Sequence, residues 1–347
     1  MPRSLVTGAC GFIGTHVVDV LHEAGHEIIA TDHPSACEKD DRDRGRYPSH
    51  VKSKSAALIA CDVTKKETLK ALPKDIDYVF HIAAIFNYST PYDVLHLVNV
   101  TGTKNLLDTL VENGGVKRMI NWGAAGVYKA PNGGVPLPIT ETWPIAPENN
   151  YLKTKWEQEC LVREYSAQGK IPACHVRPAG VYGQRAVYGG GQMLIQLAKM
   201  KSIAVPKNFT FRAPFVHARD VARAALFIGT REDTLNESFN TDISHLTNVE
   251  LMEFMAEETG RKAKILPSIP VGAFRGAMVG AATVIGWTAK ITKNTKPMLE
   301  KDSTKYVGRD YWYSCEKLTK LGFQHEYPDA RKGIHETLEW YKANGYL

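Results

Sequence analysis

The sequence predicts a doubly wound α/β fold, a parallel sheet covered by helices on both faces. Three observations carry that expectation. Short runs rich in β-branched residues alternate with longer amphipathic segments, the pattern of βαβ units. The runs are apolar almost without a break, as in DYVFHIAA at 77–84, whereas a strand with one solvated face would alternate. A glycine-rich turn also joins the first run to the first amphipathic segment.

The expected strands are 4–7, 27–31, 57–60, 77–82, 118–122 and 173–176. Between them lie helices expected over 11–24, 64–72, 94–112 and 151–168. The polar stretch 35–55, SACEKDDRDRGRYPSHVKSKS, reads as a long surface connection after the second strand. After about residue 177 the alternation decays into glycine-rich loops, isolated helices and a C-terminal amphipathic helix over 330–344. The chain therefore divides into 1–180, a dinucleotide-binding domain, and 181–347, a smaller α+β substrate lobe that interleaves with the first at its edges.

With 44% hydrophobic and 23% charged residues in 347, the composition is that of a globular chain and excludes disordered, collagen-like and disulfide-scaffold classes. The net charge of +6 is small beside 43 basic and 37 acidic residues and comes with no long single-sign run, so nucleic acid is not an expected partner. Cys10, Cys37, Cys61, Cys160, Cys174 and Cys315 form no C-x-x-C pair and no metal-ligand cluster, so free thiols in a reducing cytoplasm and no metal are expected. The N-terminus enters a strand pattern directly, without the regions of a signal peptide. The most apolar stretch, 276–289, is shorter than the roughly 20 residues of a spanning helix, so no integral membrane segment is expected.

Gly8, Gly11 and Gly14 form Gly-x-x-Gly-x-x-Gly between the first strand and the first helix, with Phe12 and Ile13 opening that helix. Glycines allow the tight turn and close approach of the backbone to a pyrophosphate, and a helix N-terminus favours negative charge. Asp32 ends the second strand, where a carboxylate accepts from both ribose hydroxyls of an adenosine and repels a 2′-phosphate. NAD is the expected cofactor; Lys39, Arg42 and Arg44 in the following loop keep NADP open.

These glycines, Asp62-Val63 after the third strand, HIAA at 81–84, NVTGTKNLL at 99–107, Tyr151-x-x-x-Lys155 and RPAGVYG at 177–183 occur in this order. Together they resemble the extended short-chain dehydrogenase/reductases, the NAD-dependent epimerase/dehydratase superfamily with a Rossmann-type sheet. The resemblance covers nearly the whole chain, since FVHARDVARAAL at 215–226 and the C-terminal segment share it. The ending resembles most the hydroxysteroid dehydrogenase and dihydroflavonol reductase-like branch. The resemblance implies that Asp62 and Val63 meet the adenine, that Ala83 and Ala84 line the cofactor pocket, and that Asn99 stands near the nicotinamide ribose. Asn99 has an equal reading as a helix residue satisfied by backbone. Pro178 and Val181 would approach the nicotinamide, and Asp220 would be a helix cap closing the second lobe.

Tyr151 and Lys155 are one helical turn apart and project from one face. A free phenol is a usable acid but a poor base at neutral pH, so a nearby cation is needed to run the reverse direction. The resemblance makes Tyr151 and Lys155 the catalytic pair, Lys155 also holding the ribose. The family's usual Ser or Thr after the fifth strand is replaced by Ala124, flanked by Gly123 and Ala125. Loss of a donor to a developing oxyanion costs about 10²–10³ in rate, so a water, Trp122, Tyr128, Asn87 or Tyr88 is a candidate replacement.

The segments 189–200 and 271–289, rich in small and flexible apolar residues, either roof a hydrophobic substrate or are buried packing helices; Trp287 and Lys290 leave a surface membrane contact open. Three readings follow. The first is an NAD-dependent oxidoreductase interconverting a secondary alcohol and a ketone on a small apolar molecule. The second is a nucleotide-sugar epimerase or dehydratase with bound NAD, for which Arg185, Arg212 and Arg219 would grip a diphosphate. The third is an NAD-binding sensor or scaffold with weak catalysis. The resemblance further implies a homodimer built from the helices 94–112 and 151–168.

Overall fold

The computed structural model describes residues 1–131, 138–243, 245–291, 299 and 301–347. The six expected strands form as β1 (Arg3–Thr7), β2 (Glu27–Asp32), β3 (Ala57–Ala60), β4 (Tyr78–His81), β5 (Arg118–Trp122) and β6 (Ala173–Pro178). Beyond them, β7 (Gly180–Tyr182) pairs with β9 (Phe215–His217), β8 (Ala204–Pro206) pairs with β11 (Lys264–Leu266), and β10 (Ser238–Thr241) joins the main sheet beside β6. The main sheet is parallel throughout, in the order β10-β6-β5-β4-β1-β2-β3.

Successive side chains of a strand point to opposite faces, and here each face is covered. Leu5, Ile29, Val79 and Met119 meet Leu106, Leu107 and Leu110 of the Gly102–Glu112 helix and Val162 of the Asn150–Ala167 helix. Their neighbours Val6, Ile28, Phe80 and Ile120 meet Val17, Val18 and Leu21 of the Phe12–Glu23 helix and Val221, Ala225 and Ile228 of the Ala218–Gly229 helix. Because β1 lies between β2 and β4, the connections on its two sides diverge and leave a crevice at the carboxyl ends of the strands. The glycine loop, Asp32, Asp62, Ala83, Ala124 and Pro178 all stand at that edge.

The structure corrects several expectations. The helix expected over 64–72 is a single turn, Lys66–Leu69, because Asp62 and Thr68 divert the local hydrogen bonds: Asp62 Oδ1 accepts from Thr64, and Thr68 Oγ1 donates to the carbonyls of Asp62 and Lys65. The helix expected over 94–112 begins at Tyr92 and passes through a π-helical segment, Leu97–Thr101. The stretch 35–55 is not simply a surface connection. It holds the short helices Pro34–Cys37 and Pro48–Lys52, and Ala36, Tyr47 and Val51 are buried, anchors too sparse to register in so polar a segment.

Past residue 180 the chain returns to the sheet through the Ala218–Gly229 helix and β10, whose SFNT has one apolar side chain in four and owes its burial to its neighbours. The Gly190–Lys199 helix is a packing helix, burying Leu194, Ile195 and Leu197 with Ile334 and Leu338 of the C-terminal Ala330–Ala343 helix. The Val271–Ile291 helix is neither roof nor buried element. Among its described side chains Ala282 is buried, while Val284, Trp287 and Ile291 are exposed; its first half is held by Arg275 donating to the Val307 carbonyl and by Phe274 against Phe209. The side chain of Lys290 lies outside the described residues. Among the described residues no helix is long and apolar enough to cross a membrane.

Asp220 sits in the first turn of the Ala218–Gly229 helix, whose cap is His217, and is fully buried. Its carboxylate accepts from the backbone N–H groups of Glu326 (2.8 Å) and Tyr327 (2.9 Å) and from Arg223 (3.0 Å). It thereby ties the C-terminal segment to the sheet layer, the closure expected of it. Replacing it leaves two buried donors and a cation without their acceptor. Asp220→Ala is therefore expected to lower unfolding free energy by about 3–5 kcal/mol in urea titrations, with Asp220→Asn costing less because one acceptor survives.

Candidate active site

The glycine loop is built by close approach. Gly8 has φ +68°, and a Cβ there would stand 2.9 Å from the Ala83 nitrogen; a Cβ on Gly14 would stand 2.1 Å from the Gly8 carbonyl oxygen. The following helix starts from Gly11 without a side-chain cap, so the N–H groups of its first turn, at Phe12 and Ile13, are directed at whatever anion occupies the crevice. Asp32 is locked to this loop, Oδ2 accepting from the Cys10 N–H at 2.9 Å and Oδ1 from the His33 N–H at 2.7 Å. Burial pushes its carboxyl up, against these two donors and the nearby Arg46. Lys39, Arg42 and Arg44 are exposed, with Arg44 turned to Asp41 at 3.3 Å.

Asp62 presents a carboxylate held by the Thr64 N–H and hydroxyl, at 3.0 and 2.7 Å. Val63 packs against Gly102, where a Cβ would stand 2.7 Å from its Cγ2. Ala83 and Ala84 follow β4, the Ala83 N–H donating to Thr7 Oγ1. Asn99 lies in the π-helical segment, fully buried: its Oδ1 accepts from the Ile85 N–H, and its Nδ2 donates to the Ile85 carbonyl and to Thr154 Oγ1. Its amide is thus engaged by protein groups. Pro178 closes β6 beside Thr241, and Val181 pairs with Val216.

A buried polar chain that the sequence did not disclose crosses beneath the crevice. Thr7 Oγ1 accepts from the N–H groups of Ile82 and Ala83, so its own proton goes to His81 Nδ1, 2.8 Å away. His81 Nε2 then carries the ring proton and donates to Thr103 Oγ1, which donates to the Asn99 carbonyl, both at 2.7 Å. Asn99 passes the chain to Thr154, whose hydroxyl donates to the Tyr151 carbonyl at 2.9 Å. Burial and the Lys155 charge lower the His81 pKa to about 3, in keeping with this neutral tautomer.

Tyr151 and Lys155 lie one turn apart in the Asn150–Ala167 helix, which Asn149 caps by accepting from the Leu152 N–H. Burial, then Tyr306, pushes the Tyr151 phenol up. Lys155 is 2% exposed and donates to Gln158 Oε1 at 2.6 Å, and Gln158 donates onward to Asn121. Burial lowers the Lys155 pKa to about 7 despite the pull of Glu159. Below Lys155, the buried Glu159 receives Arg177 at 2.6 and 3.0 Å, Arg163 and Ser238.

Ala124 packs among Val127, Leu152, Tyr151 and Trp156. Two of the side chains considered as replacement donors are held away from the site. The Tyr128 hydroxyl donates to Asn240 and accepts from Arg177, and Trp122 packs into the core of the opposite sheet face. Asn87 Oδ1 accepts from the Ser89 N–H in its own turn. Tyr88 remains at the site, its ring centroid 5.9 Å from that of Tyr151. Phe86 joins it at 5.0 Å from Tyr151, with Tyr188 5.5 Å from Phe86 and Tyr306 6.5 Å from Tyr88. No local pattern points to Tyr306, which arrives from the far C-terminal region. The three arginines expected at a diphosphate are paired instead: Arg185 with Asp19, Arg212 with Asp310, and Arg219 with Glu23 and Glu326.

The model of the NAD dependent epimerase/dehydratase family matches residues 4–241. The chain belongs to this family. Family members depend on NAD, and the close-approach glycines, the uncapped helix start and the anchored Asp32 fit a dinucleotide. Among its relatives, the 3beta-hydroxysteroid-dehydrogenase/decarboxylase isoform 2 of Arabidopsis thaliana is 25% identical over 354 residues, covering 96% of this chain and 61% of the plant protein. A UDP-glucose 4-epimerase of Mycolicibacterium smegmatis is 29% identical over 189 residues, covering 53% of this chain and 57% of that one. The chain thus spans less than two thirds of either relative's length. The fold resembles that of the Thermus thermophilus UDP-glucose 4-epimerase complex with NAD, with TM-score 0.71 at 21% identity over 98% of this chain and 99% of that chain.

Two outcomes are expected of this epimerase/dehydratase-family site. Asp32→Ala should weaken NAD binding by about 1.5–3 kcal/mol in calorimetric titration, since the lost bonds are charge-assisted, and should lower the melting temperature as well, because the Cys10 N–H loses its acceptor. In the NAD-free protein Lys155 is depressed to about 7 from 10.5, so the unfolded chain binds the extra proton between those values and stability rises with pH across that window. Urea titrations of wild type and Lys155→Met at pH 6.5 and pH 8.5 should show wild type gaining relative stability at the higher pH, by up to about 1.4 kcal/mol per pH unit.

Proposed function

We propose that this protein interconverts a secondary alcohol and a ketone on a small apolar molecule. NAD, when bound, supplies the hydride chemistry. Tyr151 moves the proton of the substrate oxygen: burial keeps its phenol protonated and ready as an acid toward a ketone. In the reverse direction Lys155, one turn away, favours the phenolate when it carries its proton. The observation that carries the apolar substrate is the ring wall around Tyr151, formed by Phe86, Tyr88, Tyr188 and Tyr306. Such a surface suits a ring ketone.

The epimerase reading rests on the family and on relatives such as the mycobacterial UDP-glucose 4-epimerase. Against it, Arg185, Arg212 and Arg219 are each committed to carboxylates. In the favoured reading residues 1–180 carry the cofactor and 181–347 complete the substrate site, apart from the segment that returns to the sheet. A homodimer through the helices 94–112 and 151–168 belongs to the same proposal, supported by Val94 and Leu97, which are 46% and 48% exposed on the first of them. A cytoplasmic setting is proposed on the strength of six free thiols.

Wild type should form NADH in proportion to product from a 3β-hydroxysteroid or a cyclic secondary alcohol, and should leave UDP-glucose unchanged. Conversion of UDP-glucose without net NADH, and no turnover of the alcohols, would establish the epimerase reading instead. Tyr151→Phe should lower the rate of hydride transfer by about 10²–10⁴ while calorimetry shows NAD binding intact. A variant that binds NAD and turns over the alcohol at the wild-type rate would leave the scaffold reading or another acid.

A further inference from the structure

Residue 124 supplies no hydroxyl, and a tyrosine from a distant part of the chain joins the ring cluster beside Tyr151. Tyr306 ends the short helix Lys301–Tyr306 and lies across Tyr88, ring centroids 6.5 Å apart, with Tyr88 in turn 5.9 Å from Tyr151. The Tyr88 and Tyr306 rings are tilted by 34° to one another, and the Tyr306 charge, were it formed, would act on Tyr151. Tyr306 also borders a small recess of about 20 Å³, partly open to solvent, whose other walls include Gly126, Tyr128 and Tyr311. Gly126 lies two residues beyond Ala124, so this recess adjoins the turn that lacks the family's hydroxyl.

The segment carrying Tyr306 is fastened to the start of the catalytic helix. Arg309 pairs with Glu148 at 2.6 Å, and Lys305 donates to the Glu148 carbonyl at 3.4 Å; Asn149, the next residue, is the cap of that helix. The guanidinium of Arg309 lies 5.9 Å from the Tyr306 ring centroid, while burial and the Glu148 charge push the Tyr306 phenol up and keep it protonated. Of the three clustered phenols, Tyr306 is the one that borders the recess beside the turn after β5.

We propose that Tyr306 donates the hydrogen bond to the substrate oxygen that the side chain of residue 124 cannot, with Tyr88 packed between its ring and that of Tyr151. The step is a hydrogen bond and not a second proton transfer: Tyr306 keeps its proton while Tyr151 exchanges one with the same oxygen as hydride leaves or joins the adjacent carbon. This assignment rests on the alcohol–ketone reading above.

The test is single-turnover hydride transfer with the alcohol that wild type converts fastest, in wild type, Tyr306→Phe, Tyr151→Phe and Tyr306→Phe/Ala124→Ser. Phenylalanine keeps the ring packing, so the melting temperature and NAD affinity of Tyr306→Phe should equal those of wild type. Its hydride-transfer rate should fall about 10²–10³-fold with KM little changed, and Ala124→Ser in that background should recover at least about tenfold of the loss. A Tyr306→Phe rate within about threefold of wild type, while Tyr151→Phe is crippled, overturns the role of Tyr306 and leaves the reaction class standing. A loss that falls on KM and is not relieved by Ala124→Ser makes Tyr306 a pocket wall and overturns it equally. Unimpaired transfer in Tyr151→Phe removes the reaction class itself, and this assignment with it.

Discussion

The buried carboxylate of Glu159 is the point from which the rest of the site is positioned. It is fully excluded from solvent on the inner face of the helix that carries Tyr151 and Lys155, and it receives the Arg177 side chain of β6 through two hydrogen bonds. Burial alone would protonate it; His175, Arg177 and Arg163 overcome that and hold it below the usual carboxylate range. An ion pair in such a place is stabilising only when its remaining hydrogen-bonding capacity is met. Here Ser238 of β10 meets part of it, and Arg177 extends to the Tyr128 hydroxyl, which reaches Asn240. Helix, two strands and the turn after β5 are thereby fixed against one another by one cluster of charge.

The same cluster bears on the turn after β5. A side chain on Gly123 would put its Cβ 3.1 Å from Glu159 Oε2 and 3.2 Å from Arg177 Cγ, so that position has no room to carry a donor. One residue on, Ala124 faces apolar neighbours, and the hydroxyl of Tyr128 is held by Arg177 and Asn240. The polar groups nearest the strand end are therefore committed to structure, and the crevice above them is bounded by rings. An aromatic wall excludes water and strengthens the few hydrogen bonds made inside it.

A second tie runs from the other half of the crevice. Thr7, His81, Thr103, Asn99 and Thr154 link the glycine-loop strand to the backbone of Tyr151 through buried hydrogen bonds. With the Glu159 cluster on one side and this chain on the other, the Asn150–Ala167 helix is registered against both the glycine loop and the carboxyl ends of the sheet strands. Registration of this kind matters because misplacement of a reacting group by about 1 Å is enough to cost about 10² in rate.

The strands β1 to β6, the glycine loop, Asp32 and the Tyr151–Lys155 pair were legible in the sequence because each is written locally. Apolar runs buried on both faces, glycines at fixed spacing and two side chains on one helical turn depend on neighbours a few residues away. Membership of the NAD dependent epimerase/dehydratase family agrees with these elements. Tertiary structure alone decided the remainder. Strand β10, with one apolar side chain in SFNT, is a strand because β6 offers it a parallel edge. Arg185, Arg212 and Arg219, equally suited by sequence to hold a diphosphate, are paired to Asp19, Asp310 and Glu23, residues up to nearly two hundred positions away. Tyr306 meets Tyr88, which packs on Tyr151, across a separation no periodicity spans. Local pattern determines which elements form and which groups they display; which of those groups remain free to meet a substrate depends on long-range pairing, and that is set only when the chain closes on itself.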